Sequence, residues 1–358
     1  MQGHPSFHRL AIADLTRETA DAVSIAFAVP PELREAYRYV PGQYLTLEAP
    51  VGGEVLRRSY SICSGLDDAE LRVAIRQVEG GRFSTFANTE LRAGDTIDVM
   101  TPSGRFTHAP DPTAARTYAA FAAGSGITPI LAIVKTVLAR EPDSRFFLFY
   151  GNRTTASILF RTALEDLKDR FLNRLSVFQI LSREQQDLPV LNGRLDPERV
   201  SLLLRTLLPA DAIDTAFVCG PLTMIDGIAG ALVSLGVPEE RVLVERFTPA
   251  PGAPRAPAPA VIEAAPAAIA GIILDGVRTD IPVAEGETLI DAAVRAGLAV
   301  PWSCHGGMCC TCRARIVEGA VTMNQNYSLE KWEMAAGFVL TCQAHPTTDR
   351  VVVDYDAM

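Results

Sequence analysis

The chain has 358 residues, of which 48% are hydrophobic and 21% are charged, and its formal net charge at pH 7 is -9. At about 150 residues per domain, this length predicts two or three domains, and the composition excludes a small binding module, a disordered chain and a fibre. The excess of acidic residues argues against a nucleic-acid partner.

The N-terminal residues lead directly into a strand-like pattern and lack the apolar stretch of a signal peptide. No segment approaches about 18 uninterrupted apolar residues, so we expect no membrane span and a cytoplasmic protein. Cytosolic thiols stay reduced, so the four cysteines clustered in residues 304–312, of seven in the chain, indicate metal binding or catalysis rather than a disulfide framework.

Residues 1–112 contain short alternating segments with Gly and Pro between them, which predict an antiparallel β-barrel. The candidate strands read HRLAIADL, VSIAFAV, QYLTLEA, RRSYSIC, LRVAIRQV and DTIDVM. Residues 113–248 instead alternate apolar strands with helical segments such as TPILAIVKTVLAR and LTMIDGIAGALVSLG. This pattern predicts an α/β domain with a parallel, doubly wound sheet.

Residues 249–270 include six prolines and ten alanines. Such a stretch cannot form a core and favours an extended conformation, so it is predicted to be a linker. It separates a C-terminal module, residues 271–358, that contains five of the seven cysteines.

Three cysteines of this module, Cys304, Cys309 and Cys312, have the spacing C-x4-C-x2-C, and Cys342 follows at a distance. This is the plant-type spacing of a 2Fe-2S cluster, with three thiolates on one loop and the fourth on a distant segment. The pair Gly306–Gly307 would let the loop backbone approach the cluster closely.

Zinc is the competing interpretation of the same four thiolates, although structural zinc sites usually pair two C-x2-C motifs and only one is present here. Cys310, inside the loop, is predicted to be a small filler that points away from the cluster. Neither Cys310 nor Cys63 receives a function from the sequence.

Two segments of the barrel predict a flavin site. Arg58-Ser59-Tyr60-Ser61 resembles the R-x-Y-S motif of the ferredoxin-reductase superfamily. In that motif the arginine pairs with flavin phosphates, the aromatic ring stacks on the isoalloxazine and the hydroxyl lies near its N5 atom. The second segment resembles the family's other flavin loop, with Ser84 expected to open a helix whose N-terminus favours phosphate. Its predicted cofactor-binding residues, with those of the intervening strand, are Ile75, Arg76, Gly80, Gly81, Phe83 and Ser84.

The α/β domain opens with a strand, the turn Ala123-Gly124-Ser125-Gly126 and a helix, the context that a phosphate-binding turn requires. Pro129 replaces the third glycine of the dinucleotide fingerprint, and the string resembles the G-x-G-x-T-P motif of the same superfamily. Later, Cys219-Gly220-Pro221 ends a strand at the edge where such folds bind ligands. The resemblance implies that Cys219 lies beside the reacting nicotinamide carbon. The other predicted coenzyme residues of this domain are Thr128, Asn152, Arg153, Ser182, Arg183, Met224 and Phe247.

Arg153 and the Ser182-Arg183 pair would bind the 2'-phosphate of NADPH, whereas NADH-dependent enzymes place an acidic residue near the ribose. We therefore expect NADPH rather than NADH. FAD is expected from the resemblance, although relatives of this architecture also use FMN. The predicted catalytic residues are Ser61, Cys219 and Glu245.

Residues 271–358 resemble a plant-type ferredoxin domain, which implies an α+β β-grasp fold. Across the whole chain, segments such as LRRSYSIC, YGNRT and NYSLEKWEMAAGFVLTCQAHP resemble the reductase subunits of phenylacetyl-coenzyme A epoxidases. This resemblance implies electron transfer from NADPH through FAD and the cluster to di-iron oxygenase subunits in phenylacetate catabolism. His305 and Cys310 stand where that family commonly has a lysine and a small residue.

Three alternatives remain open. The first is a reductase of another oxygenase, acting on steroids, aromatic compounds or fatty acids. The second is a flavin and iron-sulfur redox sensor that turns over slowly. The third is an interaction module stabilised by zinc. We expect neither a nucleic-acid partner nor association with a membrane.

Overall fold

The computed structural model describes residues 5–247 and 267–357. Phe7–Arg246 form one structural unit, and the described residues from Phe247 onward belong to a second unit. The predicted linker lies outside the described residues as far as residue 266. Its last three residues already belong to a strand that begins at Ala268, so the C-terminal domain starts earlier than the predicted boundary.

The N-terminal sheet has six antiparallel strands. They are β1 (Phe7–Thr19), β2 (Ala22–Ala28), β3 (Tyr44–Val51), β4 (Glu54–Ser61), β5 (Leu71–Arg76) and β6 (Thr96–Met100). Their spatial order is β4-β3-β6-β1-β2-β5, and a bridge between Ile62 and Val73 connects the end of β4 with β5. Helix α1 (Arg82–Thr89) follows β5. The sheet therefore curves into the predicted barrel around an apolar core.

The second sheet is parallel throughout. Its strands are β7 (Thr117–Ala123), β8 (Arg145–Asn152), β9 (Leu175–Leu181), β10 (Thr215–Gly220) and β11 (Val242–Arg246), in the order β11-β10-β7-β8-β9. Four helices accompany it, α2 (Ile127–Arg140), α3 (Arg161–Arg170), α4 (Pro197–Leu207) and α5 (Leu222–Ser234). Separate apolar clusters contain residues of α2 and α3 and residues of α4 and α5. The carboxyl ends of all five strands meet at one edge, where ligands of such sheets bind.

A buried polar cluster joins the barrel to the parallel sheet. The fully buried Glu141 carboxylate, at the end of α2, accepts hydrogen bonds from the Ser144 and Tyr118 hydroxyls at 2.7 and 2.8 Å. His108, on the connecting segment, lies 3.1 Å from the same carboxylate. Just before it, the buried Phe106 packs edge to face on Phe217 of β10. These contacts attach the segment that follows the barrel to the parallel-sheet domain.

The C-terminal unit is an α+β domain. Its elements are β12 (Ala268–Leu274), β13 (Val277–Val283), α6 (Leu289–Arg295), β14 (Arg313–Glu318), β15 (Val321–Met323), α7 (Lys331–Ala335), β16 (Phe338–Leu340), β17 (Ala344–Pro346) and β18 (Arg350–Asp354). The main sheet has the order β13-β12-β18-β14-β16, with β12 and β18 parallel, and β15 pairs with β17. This arrangement agrees with the predicted β-grasp fold.

Together the three domains confirm the predicted fold class of antiparallel barrel, parallel-sheet domain and ferredoxin-like domain. Several predicted strands and helices closely match the elements of the structure. The segments LSVFQIL and TAFVCG coincide with β9 and β10, and the helix predicted from TPILAIVKTVLAR begins one residue earlier, at Ile127. Within the described ranges, no helix has both the length and the apolar character that crossing a membrane requires.

Candidate functional site

The predicted flavin motif lies at the end of β4. Successive side chains of a strand point to opposite faces, so Arg58 and Tyr60 share one face and Ser59 lies on the other. The Ser59 hydroxyl is 3.1 Å from that of Thr46 on β3. Arg58 is exposed, and burial raises the pKa of Tyr60, so its phenol stays neutral. An exposed cation and a half-buried aromatic ring on one face suit a flavin phosphate and ring.

The second flavin segment forms a tight turn before α1. A methyl group on Gly81 would lie 2.3 Å from a Val78 methyl and 2.5 Å from the Ser84 hydroxyl, so a larger residue there would require these side chains to move. Helix α1 begins at Arg82, which makes Ser84 its third residue rather than its first as predicted. The Ser84 hydroxyl donates to the Gly81 carbonyl at 3.0 Å and accepts from the Val78 N–H at 3.2 Å. Ser84 therefore shapes the turn.

Two other predicted flavin residues have buried side chains. Phe83 is 1% exposed in the barrel core, and its ring centroid lies 5.8 Å from that of Tyr60. Ile75 is fully buried. Their side chains therefore face the core, and Phe83 supports Tyr60 by packing against it. For Ile75 the resemblance already implies flavin contact mainly through the backbone, and the buried ring of Phe83 leaves its backbone as the part predicted to contact the flavin. Ser61, 4% exposed at the end of β4, remains a predicted catalytic residue.

Arg76 lies between the flavin and nicotinamide halves. Its Nε donates to the Asp21 carboxylate at 2.8 Å, which holds the side chain in place. One of its terminal nitrogens lies 3.3 Å from the position that a methyl group on Gly124 would occupy. The guanidinium of a barrel strand thus borders the predicted phosphate turn of the parallel sheet, where it can contact a pyrophosphate.

The turn after β7 has the backbone that a phosphate site requires. Gly124 has a φ of +54°, and its carbonyl accepts a hydrogen bond of 2.9 Å from the buried Tyr150 hydroxyl. The Thr128 hydroxyl donates to the Ser125 carbonyl at 3.0 Å. Pro129 is buried in the first turn of α2. The turn therefore leads directly into a helix N-terminus, which favours an anion.

Gly126 packs directly on the end of β10. A methyl group at this position would lie 2.1 Å from the Cys219 carbonyl oxygen. The absence of a side chain therefore lets the phosphate turn and the Cys219-Gly220-Pro221 turn touch. Met224 packs against Gly220, where an added methyl group would lie 2.7 Å from the Met224 Cε atom.

Cys219 and Glu245 lie opposite each other on the paired strands β10 and β11. Cys219 is fully buried, and burial raises the pKa of its thiol well above its ordinary value, with the nearby Glu245 adding to the effect. Burial also raises the pKa of Glu245 to about 8, against the influence of Arg246. A neutral thiol and a largely protonated carboxyl at neutral pH form a site suited to an uncharged ring.

The residues predicted to bind the 2'-phosphate are brought together by the ends of β8 and β9. The Ser182 N–H donates to the Asn152 carbonyl at 3.0 Å, and the Arg183 N–H donates to the Arg153 carbonyl at 2.8 Å. Arg153 and Arg183 are exposed, and the described chain offers neither guanidinium an ion-pair partner. The Asn152 side chain is 8% exposed, and its amide atoms have no hydrogen-bond partner in the described part of the chain. An unpaired buried amide beside two cations fits a polar ligand.

Sequence reasoning missed several supporting residues of this site. Asp21 holds Arg76, and Tyr150 holds Gly124. The Glu184 carboxylate accepts from the Thr155 N–H and hydroxyl, both at 2.7 Å, which keeps this acidic group on the neighbouring turn. Asp21 and Glu184 belong to no recognised motif, and Tyr150 received no role although it opens the segment YGNRT, because these roles depend on contacts between distant segments. Phe247 ends the first described range with 40% of its side chain exposed, and its role at the flavin stays a prediction.

The four predicted cluster ligands lie next to one another. The Cys304 thiol neighbours those of Cys309 and Cys342, and Cys342 also neighbours Cys312. Hydrogen bonds from Cys309 and Cys342, joined by backbone N–H groups of the loop, lower the pKa of Cys304 well below its ordinary value. The Gly306 N–H donates to the Cys304 sulfur at 3.3 Å.

Within the described ranges, no three His, Cys, Asp or Glu side chains are grouped as a site for one metal ion. The thiols instead form a row of neighbouring contacts: Cys309 contacts Cys304, Cys304 contacts Cys342, and Cys342 contacts Cys312. Four cysteines with this loop spacing are the donor set of a plant-type 2Fe-2S cluster. The residues present therefore fit that group.

The loop has two left-handed residues other than glycine, His305 with a φ of +48° and Cys310 with a φ of +54°. These are the two positions that depart from the family pattern. The Cys310 thiol lies 3.0 Å from the Ser328 hydroxyl, so it joins the loop to the following segment as well as filling space. The Thr311 hydroxyl donates to the Cys309 sulfur at 3.1 Å.

Family models match the three domains in order. An oxidoreductase FAD-binding domain matches residues 10–108, an oxidoreductase NAD-binding domain matches residues 121–230, and a 2Fe-2S iron-sulfur cluster binding domain matches residues 272–347. These matches agree with the flavin, nicotinamide and cluster sites of the three domains. They leave open whether the coenzyme is NADH or NADPH.

Curated relatives cover nearly the whole chain. The chain is 46% identical over 354 residues to the E subunit of 1,2-phenylacetyl-CoA epoxidase of Escherichia coli (strain K12), covering 98% of each chain. It is 34% identical to the ferredoxin reductase component of 3-ketosteroid-9-alpha-monooxygenase of Rhodococcus rhodochrous, covering 97% of this chain and 96% of the relative. It is 26% identical to the glycine betaine monooxygenase reductase subunit of Pseudomonas aeruginosa (strain UCBPP-PA14), covering 97% and 95%.

Solved structures show the same domain arrangement along the chain. Phthalate dioxygenase reductase, which transfers electrons from pyridine nucleotides to a 2Fe-2S centre, matches with a TM-score of 0.58 and 20% identity over 98% of both chains. An intact type IV self-sufficient cytochrome P450 monooxygenase matches with a TM-score of 0.67 and 22% identity, over 97% of this chain and 41% of that one. At these identities the likeness establishes the fold.

Proposed function

Since the chain belongs to the family of oxygenase reductases that join FAD-binding, NAD-binding and 2Fe-2S domains, we propose that it supplies electrons from NADPH to the di-iron oxygenase component of a phenylacetyl-CoA epoxidase. The observation that carries the choice of partner is the 46% identity with the E subunit of that enzyme, which extends over 98% of both chains.

When bound, the nicotinamide supplies a hydride, the flavin accepts two electrons and releases them one at a time, and the cluster carries one electron. The chain's own residues prepare these transfers. Gly126 allows the coenzyme turn to meet the Cys219 turn, and Arg76, which Asp21 holds on the barrel, lies close to Gly124 of the same turn. The buried Cys219 provides an apolar wall beside which a neutral ring can lie. The order of the three domains along the chain and the geometry of the site thus support a reductase.

The preference for NADPH rests on Arg153 and Arg183. Their backbones are hydrogen bonded to each other at the ends of β8 and β9, so two cations border the region where the adenosine ribose is expected. The nearby acidic residue Glu184 accepts hydrogen bonds from the Thr155 N–H and hydroxyl. Two unopposed guanidinium groups suit a phosphate.

Reconstitution with purified oxygenase subunits of phenylacetyl-CoA epoxidase tests the proposal. We expect NADPH oxidation and conversion of phenylacetyl-CoA to require the reductase, the oxygenase and oxygen together. Full NADPH-ferricyanide activity without any transfer to the oxygenase would refute the partner. Slow reduction without turnover against either acceptor would indicate a redox sensor. The reaction is proposed to occur in the cytoplasm, where thiols remain reduced.

A second candidate partner is a steroid oxygenase, because the chain is 34% identical over nearly its full length to reductase components of 3-ketosteroid-9-alpha-monooxygenase. The same reconstitution assay distinguishes the two candidate partners. Transfer to the steroid oxygenase at a higher kcat/KM than to the phenylacetyl-CoA epoxidase would favour this second candidate.

A further inference from the structure

Gln343 has a buried side-chain amide next to the fourth predicted cluster ligand, Cys342. Gln343 is 6% exposed, and its Nε2 atom donates to the His305 carbonyl and to the Cys342 carbonyl, both at 2.8 Å. A primary amide has two N–H groups, so both are used in these bonds. The same nitrogen lies 3.7 Å from the Cys342 sulfur. The side chain therefore joins the cluster loop to the segment that carries the fourth predicted ligand.

The backbone and the aliphatic stem of Gln343 hold this amide in place. The Gln343 N–H donates to the Leu340 carbonyl at 2.9 Å, and its own carbonyl accepts from the Asn324 N–H at 3.0 Å. Its Cγ atom lies 3.3 Å from the position of a methyl group added to Gly307, a loop residue with a φ of +72°. The amide therefore reaches the cluster loop from a residue that is hydrogen bonded on both sides.

The peptide unit between His305 and Gly306 has a hydrogen bond at each end. Its carbonyl oxygen accepts from Gln343 at 2.8 Å, and its N–H, which belongs to Gly306, donates to the Cys304 sulfur at 3.3 Å. A trans peptide unit is planar, so a bond that fixes the direction of the carbonyl also fixes the N–H, which points the opposite way. The Gln343 amide thereby directs the Gly306 N–H at the sulfur of the first predicted ligand.

The conformation of His305 explains why this peptide unit depends on an outside bond. His305 has a φ of +48°, in the left-handed region that side chains other than glycine rarely adopt and that persists only where surrounding contacts hold it. The His305 ring packs edge to face on Trp302, with ring centroids 4.3 Å apart, and Gln343 holds the carbonyl. Loss of the Gln343 bond would remove one of these restraints and let the Gly306 N–H turn away from Cys304.

From these contacts we propose that Gln343 is a positioning residue that raises the reduction potential of the cluster by orienting the Gly306 N–H toward Cys304. The proposal deepens the proposed electron transfer and rests on the assignment of Cys304 and Cys342 as ligands. One electron passes from the reduced flavin to the cluster; the flavin is oxidised, the cluster is reduced, and no bond forms or breaks. Reduction adds negative charge to the cluster and its sulfur ligands, so N–H groups directed at sulfur stabilise the reduced state more than the oxidised state.

The amide dipole of Gln343 acts on the fourth predicted ligand in the same direction. Its nitrogen is the positive end of the dipole and lies 3.7 Å from the Cys342 sulfur. Cys342 is 3% exposed, so little water is present to weaken this interaction. Gln343 therefore favours added negative charge at Cys304 through Gly306 and at Cys342 directly. A side chain that only filled space could be replaced by an apolar one of the same length with no change in potential.

The test measures the reduction potential of the cluster by spectroelectrochemical titration of the full-length holoprotein, which requires no oxygenase. Gln343→Met keeps the approximate length of the side chain and removes both N–H donors. We expect its equilibrium constant for cluster reduction to fall about tenfold, which corresponds to a potential lower by about 59 mV for one electron. Gln325→Met is the matched control, because Gln325 is the other glutamine of this domain and its backbone carbonyl faces Gly307. Its potential should equal that of wild type.

Two further measurements separate orientation of the peptide unit from simple retention of the cluster. In hydrogen–deuterium exchange followed by mass spectrometry, a loop peptide that contains Gly306 should exchange faster in Gln343→Met than in wild type, while peptides of α6 should be unchanged. Gln343→Asn, one methylene shorter, keeps an amide in the buried site but withdraws it from the His305 carbonyl, and it should also lower the potential. Iron and sulfide content is measured for every variant.

An unchanged potential in Gln343→Met with full iron content would overturn the proposal, as would an equal shift in Gln325→Met. Loss of iron from both Gln343 variants would show that the residue retains the cluster rather than setting its potential, which also overturns the proposal. Zinc in place of iron in the wild type would refute the ligand assignment and the proposal with it. A wild-type protein that holds the cluster but does not reduce the oxygenase would refute the proposed function, and the measured potentials would still decide the role of Gln343.

Discussion

Thr341 donates two hydrogen bonds to the Cys312 carbonyl oxygen, one from its backbone N–H at 3.1 Å and one from its hydroxyl at 2.9 Å. The Tyr355 hydroxyl in turn donates to the Thr341 hydroxyl at 2.8 Å. Thr341 is fully buried and Tyr355 is 5% exposed. The residue before the fourth predicted ligand, Cys342, is therefore attached to the third ligand, Cys312, by bonds that are independent of any metal.

Replacing Thr341 with valine tests whether this attachment supports the cluster. The variant keeps the backbone bond but loses the hydroxyl bond, and it leaves the Tyr355 hydroxyl without its acceptor. We expect the C-terminal domain to lose about 1–3 kcal/mol of stability and the cluster absorbance to decay faster on warming. Thr322→Val, at an exposed position of β15, is the control. Equal cluster lifetimes in Thr341→Val and wild type would contradict the prediction.

Cys342→Ser tests the ligand assignment. We expect iron and sulfide content to fall sharply while the flavin spectrum and NADPH-ferricyanide activity persist, because the flavin site lies in the other structural unit. Cys310→Ser is the matched control, since it changes a loop cysteine that is outside the proposed ligand set and can keep a hydrogen bond to Ser328. Iron content is measured for both. Full iron content in Cys342→Ser would exclude this residue as a ligand.

Gly126→Ala tests the contact between the phosphate turn and the Cys219 turn. The added methyl group would lie 2.1 Å from the Cys219 carbonyl oxygen, so one of the two turns must move. We expect the rate of flavin reduction by NADPH to fall by about tenfold or more, since misplacement by about 1 Å can cost 100-fold. Gly230→Ala, in α5 with no atom outside the neighbouring helix backbone within 4 Å of the new methyl group, should react like wild type. Stopped-flow absorbance measures the rate, and a normal rate in Gly126→Ala would refute the argument.

Arg183→Ala tests the choice of coenzyme. A charged hydrogen bond to phosphate contributes about 1.5–3 kcal/mol, so we expect KM for NADPH to rise by about tenfold or more while KM for NADH changes little. Arg205→Ala, at an exposed position on α4, controls for the loss of a positive charge. Steady-state kinetics with both coenzymes provide the measurement. An equal rise for NADH and NADPH would show that Arg183 does not select for the 2'-phosphate.

Glu245 predicts a pH dependence of stability. Burial raises its pKa in the folded protein to about 8 from an ordinary value of 4.5, so between these pH values the folded chain holds a proton that the unfolded chain releases. Stability from this residue is therefore present at low pH and is lost as pH rises through about 8, with a slope of at most about 1.4 kcal/mol per pH unit.

The Glu245→Gln variant should lack this component, and the difference in unfolding free energy between it and wild type should change between pH 5.5 and 8.5. Denaturant unfolding followed by release of the flavin measures it. A constant difference across that range would mean that Glu245 does not titrate there.

Local patterns predicted most of the secondary structure and the chemical type of each domain. β9 and β10 follow from apolar runs of the right length, and α2 follows from its helical periodicity. The cluster loop follows from the spacing of Cys304, Cys309 and Cys312. Each of these signals lies within about a dozen neighbouring residues, where backbone geometry and side-chain periodicity determine the result.

Side-chain direction was harder to predict. Phe83 occurs in a flavin-like segment, yet its ring belongs to the barrel core, and Ser84 shapes a turn instead of opening α1. A motif identifies the segment that approaches a cofactor, but whether each side chain faces the cofactor or the core depends on what packs behind it.

The sequence by itself therefore determined three domains, their order and the residue types that suit flavin, nicotinamide and a 2Fe-2S cluster. Only the tertiary structure decided which distant groups support them, such as Asp21 behind Arg76, Cys219 against Gly126 and Thr341 on Cys312. These pairs are separated by many residues and have no shared pattern, because they are selected by the packing of whole sheets rather than by local backbone preference. Their contribution arises only when the fold brings them together.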